Sequence, residues 1–269
     1  MLNLLLLLLI LYAALLAGMY VFQRSLMYHP ASAMGTPAQH GLTEFSEHFI
    51  TTPDGETLQL WYRAAGGALP TVLYFHGNAG NIAGRAGIFA ALAARGFGVA
   101  ALSYRGYGQS SGQPSEQGLY RDAAAAIGWL ANDKNTPENK LIVYGESLGT
   151  GVASWVATQH NIGLLVLQAP YLSVAKRAQE IYPFIPVSML LKDHFNSASR
   201  IASIHAPLLL FHGEEDTVIP IHHGRALLAM APEPKRSFFL PGVGHNDFDS
   251  RAISSHVEDY ARELGLIPQ

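Results

Sequence analysis

Short apolar runs recur along this chain with helical stretches between them, and that alternation leaves few folds open. The runs are Thr71–His76, Gly98–Ser103, Leu141–Tyr144, Leu164–Leu167 and Pro207–His212, with a weaker one at Ser237–Leu240. Each is short and bounded by turn residues, so each reads as a strand buried on both faces. Helical patterns fill the gaps at Ala83–Arg95, Glu116–Asn132, Leu148–His160, His222–Met230 and Ser250–Leu264. Strand–helix alternation with short loops predicts an α/β fold, with a mostly parallel central sheet and helices on both faces. Ahead of it, Phe45–Thr51 and Thr57–Arg63 alternate apolar and polar residues around Pro53-Asp54-Gly55, the pattern of an antiparallel hairpin.

The N-terminal segment obeys a different rule. Residues 1–29 hold 23 apolar residues, with an unbroken run from Leu4 to Leu16 and no charge before Arg24. Leu4 to Phe22, as a helix, spans about 28 Å, close to the hydrocarbon thickness of a bilayer. Tyr20, Phe22 and Tyr28 stand where interfacial aromatics belong. The favoured reading is a retained single-pass anchor. Its competitors are a cleaved signal peptide and a buried core helix. The run is longer than a signal core and lacks a basic n-region, while Ala31-Ser32-Ala33, the one cleavage-like site, lies well past it. Arg24 alone does not orient the helix, so the side of the membrane stays open. The expected organisation is an anchor and juxtamembrane segment over 1–29, a linker over 30–44, and a catalytic domain over 45–269 carrying a short insert at 170–200.

Composition excludes several classes. A net charge of −3 argues against a nucleic-acid binder, which needs a basic footprint. With no cysteine, there is no disulfide framework, thiolate metal site or thiol nucleophile. From Ala31 onward 36 of 239 residues are charged, below the usual quarter, so the soluble part is charge-poor even without the anchor.

The pattern G-x-S-x-G occurs twice, at Gly145–Gly149 and at Gly108–Gly112. Context separates them. A nucleophile elbow needs a strand running in and a helix running out. Leu141–Tyr144 precedes Ser147 and a helix follows it, whereas Ser110 lies in loop sequence. Ser147 is therefore the candidate nucleophile. A serine needs a base, and His245 sits in a Gly-rich loop after the last strand. The base needs an acid, and Asp216 follows the strand ending at His212, with Glu214 and Glu215 as alternatives. Asp216 gives the chain order nucleophile, acid, base of the α/β-hydrolase architecture. The oxyanion donors are expected to be the backbone N–H groups of Leu148, just after the nucleophile, and Asn78, in the Gly-rich loop after Thr71–His76. His76 and His212 end strands and read as structural. His222 and His223 are adjacent, which predicts diverging rings and a poor metal pair. No metal and no cofactor are expected.

Five segments carry a resemblance: His76-Gly77-Asn78-Ala79-Gly80-Asn81, Ser103-Tyr104-Arg105-Gly106-Tyr107-Gly108, Gly145-Glu146-Ser147-Leu148-Gly149, His212-Gly213-Glu214-Glu215-Asp216 and Gly244-His245-Asn246-Asp247. Together the chain resembles the α/β-hydrolase superfamily, and within it the Bem46-type group of membrane-anchored serine hydrolases. Ser103 departs from the aspartate that relatives commonly place there. The resemblance implies Ser147, Asp216 and His245 as a triad and an acyl-enzyme route. Ile181–Leu191, eleven residues without charge, either line an acyl-chain pocket or pack onto the sheet. The expected partners are a small-molecule or lipid acyl substrate and the membrane. Peptidase, lipid acyltransferase and non-catalytic scaffold remain as alternatives.

Overall fold

The computed structural model describes residues 2–267. In chain order the elements are α1 (Leu2–Met27), β1 (His29–Pro30), β2 (Ser46–Thr51), β3 (Thr57–Arg63), β4 (Thr71–Phe75), β5 (Ala79–Gly80), α2 (Ala86–Ala94), β6 (Gly98–Leu102), α3 (Glu116–Asp133), β7 (Leu141–Glu146), α4 (Gly149–Gln159), β8 (Leu164–Gln168), α5 (Val174–Ile181), α6 (Val187–Leu190), β9 (Leu208–Gly213), α7 (His222–Met230), β10 (Lys235–Leu240) and α8 (Ser250–Glu263). The main sheet runs β10-β9-β8-β7-β4-β6-β3-β2. β4 and β6 to β10 are mutually parallel. β3 runs against β6 and forms the expected hairpin with β2.

The apolar runs are continuous because both faces of the sheet are covered. On β4, Leu73 and Phe75 join the core beneath α3 and α4, while Val72 and Tyr74 join the core beneath α2 and α8. β7 divides likewise, Leu141 and Val143 against Ile142 and Tyr144. Each such side chain contributes about 1.5–3 kcal/mol on burial. Polar caps start the helices: Ser115 Oγ accepts from the Gly118 N–H for α3, and Asp249 accepts from Arg251 and Ala252 for α8. The weak run at 237–240 is a true edge strand, half-buried along its length.

Two segments depart from expectation, and a third, the insert, takes a form that the sequence left open. The stretch 30–44 is not a loose tether. Met34, Pro37 and Leu42 are buried, β1 pairs with β5, and Asn81 Nδ2 donates to the carbonyls of Ala31 and Ala33. The insert is helical, with Ser173 capping α5. And α1, with no residue buried, does not stand apart from the sheet domain. Its C-terminal half lies along the insert. Tyr12 Oη donates to the Phe184 carbonyl (2.6 Å), Gln23 brackets Leu190 and Lys192, and the Arg24 guanidinium grips Asp193 with two bonds. Asp193 is almost wholly buried and also accepts from Tyr28 Oη and the Glu116 N–H.

Candidate active site

Chain order reverses in the middle of the sheet, because β4 leads to β6 on one side and β7 lies on the other. Loops leaving the carboxyl ends of β4 and β7 therefore part, and the crevice between them is where open α/β sheets bind ligands. The two loops are those that hold Asn78 and Ser147.

Ser147 sits at the turn from β7 into α4 with φ +50°, a left-handed conformation that costs a non-glycine residue energy. The turn closes only because its flanks are glycine. A Cβ on Gly145 would lie 2.5 Å from the Gly149 carbonyl oxygen, and one on Gly149 would lie 2.1 Å from that of Phe75. The Ser147 N–H is held by the Gln168 carbonyl (2.9 Å). Its hydroxyl meets His245 Nε2 at 3.0 Å, and His245 Nδ1 meets Asp216 Oδ2 at 2.6 Å. A carboxylate only accepts, so Nδ1 carries the proton and Nε2 is left to accept from the serine. Asp216 Oδ1 accepts from the N–H groups of Val218 and Ile219 (2.9 and 2.7 Å). Burial opposes ionisation of Asp216, yet the His245 bond and the Ile219 N–H hold its carboxyl below the ordinary aspartate value. The loops after β9 and β10 are laced together, the Glu214 N–H to the Leu240 carbonyl and the Glu215 N–H to the Val243 carbonyl. Glu214 and Glu215 are exposed, and Glu214 turns to Arg225 instead of His245.

Asn78 and Leu148 face the same crevice. Among the described residues no protein group accepts from either backbone N–H. Both are held from behind: the Asn78 carbonyl accepts from Tyr107 Oη and the His29 N–H, Asn78 Nδ2 donates to the Met27 carbonyl, and Tyr171 Oη donates to the Leu148 carbonyl. Sequence reading missed Tyr107 and Tyr171 in these roles. The Tyr107 signal was present in Arg105-Gly106-Tyr107-Gly108, where a large residue stands between two glycines. It also missed the ion pair behind the elbow, where Glu146 takes both Arg85 Nη2 and Nε (2.8 and 3.0 Å) and Tyr74 Oη. A charge inside an otherwise buried elbow requires such a partner.

The remaining candidates have other partners. Ser110 Oγ donates to the Ser103 carbonyl and accepts from the Gln59 N–H, stapling a loop. Ser103 Oγ is buried without a partner. His76 bonds the Gly77 carbonyl between the rings of Tyr104 and Tyr107. His212 Nε2 lies 2.8 Å from the Ile219 carbonyl, behind Asp216. The divergence expected for His222 and His223 does not occur, since their rings stack at 4.4 Å and both reach Glu180. These three side chains come close enough for a shared ion. However, His223 Nδ1 accepts from the Leu172 N–H, so Nε2 carries the proton and donates to Glu180 instead of offering a lone pair. Arg177 completes the pairing of that carboxylate.

A cavity of about 300 Å³ opens at Ser147. Its walls are Met19, Tyr20 and Leu26 of α1 facing Ile181, Leu190 and other residues of the insert, and among the described residues Arg177 is its one charged lining residue. A second, polar cavity of about 470 Å³ lies on the other side of His245, beside Arg85, Glu146 and Gln168.

Comparison with known proteins bears on the fold and the family. The family described as serine aminopeptidase, S33, matches residues 68–199. The uncharacterized protein Rv2307c of Mycobacterium tuberculosis (strain H37Rv) is 39% identical over 252 residues, covering 92% of this chain and 90% of the other. The chain belongs to the α/β-hydrolase superfamily. YfhR of Escherichia coli K12, also uncharacterized, is 33% identical over 223 residues, 80% of this hydrolase and 76% of YfhR. Among solved structures, the Pyrococcus furiosus esterase Pf2001 superposes with TM-score 0.68 at 21% identity, covering 89% of this chain and 96% of that one. The acetyl xylan esterase of Paenibacillus sp. R4 gives 0.66 at 19% identity, with coverage of 90% and 98%. At such identities the likeness is one of fold.

Proposed function

We propose that this α/β hydrolase is a membrane-anchored serine hydrolase cleaving carboxylic esters or thioesters with lipid-like acyl chains. The observation that carries the reading is the hydrogen-bonded series Ser147–His245–Asp216 at the mouth of an apolar cavity. In the proposed reaction His245 Nε2 takes the Ser147 proton as Oγ attacks the acyl carbon. The carbonyl oxygen becomes an oxyanion between the Asn78 and Leu148 N–H groups, whose free donors support that role. Asp216 stabilises the imidazolium. Collapse expels the alcohol or thiol, protonated by His245, and leaves an acyl-enzyme. Water, deprotonated by His245, then releases the acid and restores Ser147.

The packing of α1 supports its retention, because its removal would unroof the cavity and strip Asp193 of Arg24. The matched family's description brings in a second reading, a peptidase trimming amino termini. Such a substrate carries an ammonium group, and the one charged side chain lining the cavity is a cation, Arg177, which favours the ester reading. A lipid acyltransferase would use the same residues with another acceptor in place of water. A series of p-nitrophenyl esters tests the proposal. The expected result is turnover that rises from acetyl to medium and long chains and vanishes in Ser147→Ala. Inactivity on every ester with cleavage of amino-terminal peptides would replace it.

A further inference from the structure

The polar boundary of α1 is marked by Tyr20, Gln23 and Arg24, which meet Lys192 and Asp193 at the base of the insert. The insert does not stop at that level. Phe184 accepts from Tyr12 Oη, and Tyr12 precedes Tyr20 by eight residues, about 12 Å along a helix. If α1 crosses a bilayer, the 181–191 loop stands beside it inside the hydrocarbon.

The loop is built for that medium. It carries no charge. Phe184 and Met189 are 85% and 83% exposed, and Ile181 and Tyr182 are also open. A backbone in lipid must satisfy its polar groups internally. Pro183 and Pro186 have no N–H, and Tyr182, Ile185, Val187, Met189 and Leu191 donate within the insert. The carbonyls of Phe184 and Leu190 and the N–H of Lys192 are taken by Tyr12 and Gln23 of α1. Side chains of α1 thus satisfy part of the backbone of the loop beside it.

We propose that residues 181–191 are immersed beside α1 in the leaflet nearer the sheet domain, and that the cavity between them is loaded laterally, an acyl chain passing from the leaflet to Ser147 without crossing water. The occupant of the exposed face is bilayer hydrocarbon, because the face is continuous with α1, a helix long and apolar enough to span. This deepens the proposed function and rests on it for the loading route, but not for the immersion.

The absence of cysteine makes the test direct. Single cysteines at Phe184, Met189 and the exposed control Asn161 are introduced into the full chain, spin-labelled and reconstituted in phosphatidylcholine–phosphatidylglycerol nanodiscs. The ratio of collision with oxygen to collision with a water-soluble nickel chelate is expected to rise severalfold at 184 and 189 over 161. Equal ratios overturn the immersion, as does shielding from both reagents, which would mean cover by a second copy of the chain. A paired assay uses Phe184→Ser combined with Met189→Ser. Hydrolysis of a short-chain ester in detergent should be unchanged, while hydrolysis of long-chain esters embedded in vesicles should fall severalfold. Unchanged vesicle activity overturns lateral loading. Deep labels at 184 and 189, with an unsubstituted chain that hydrolyses neither ester, would refute the catalytic reading and leave the immersion standing.

Discussion

At the scale of single residues, the proposed chemistry rests on three side chains that already hydrogen-bond in series. Asp216→Asn keeps the shape but offers His245 a group that no longer favours the required tautomer. The expected loss is about 10³–10⁴-fold in kcat with little change in KM, whereas Glu214→Gln, facing Arg225, leaves both unchanged; steady-state kinetics on one ester checks the pair. His76 makes a separate prediction. Burial, with Arg85 adding to it, pushes this imidazole down to about 3. Between pH 6.5 and 3 the unfolded chain binds a proton that the folded chain refuses, so stability falls as pH drops below 6.5. The slope is at most about 1.4 kcal/mol per pH unit for each such group. His212 and His223, also lowered chiefly by burial, act in the same direction. Urea midpoints between pH 7 and 5 should drop, and His76→Gln should flatten the slope whatever its effect at pH 7. The meeting of Ser147, Asp216 and His245 was legible because an elbow advertises itself in glycines and chain order. Tyr107 left only the trace of a large residue between two glycines, and Tyr171 none, because what they hold is backbone, which sequence spacing does not reveal.

At the scale of elements, the junction of α1 with the insert is the least expected feature. The helix reads as apolar all round, so its periodicity names no partner face. Nothing in Lys192-Asp193-His194 distinguishes Asp193 from an ordinary loop acid. Yet this carboxylate gathers Arg24, Tyr28 and the amino terminus of α3. Asp193→Ala strands the Tyr28 hydroxyl and the Glu116 N–H in a buried place, at about 1–3 kcal/mol for each unsatisfied group. Arg24→Gln, at a half-exposed guanidinium, costs about 1 kcal/mol or less. Chemical unfolding of the two variants should give that order, and the reverse order would mean that α1 is held by something other than this carboxylate. The eight strands of the main sheet were predictable from short apolar runs and hairpin alternation, and the five flanking helices from the stretches between them, while the two-residue strands β1 and β5 left no pattern. The two short insert helices were not, because their length and Pro-rich surroundings leave too few turns for a period to register.

For the whole molecule, the low charge content has two sources. A sheet covered on both faces removes charge from β4, β6, β8 and β9. The insert and α1 add a second, exposed apolar surface. A retained α1 predicts that protein isolated from membranes has an intact mass near the 29.1 kDa of the full chain; a product lacking the first thirty-odd residues would identify α1 as a cleaved signal. The central claim is that Ser147 is the nucleophile, and locating a fluorophosphonate adduct by peptide mass tests it most directly. The adduct should fall on Ser147, persist in Ser110→Ala and be absent from folded Ser147→Ala. An adduct on Ser110, or labelling that survives in folded Ser147→Ala, would contradict it.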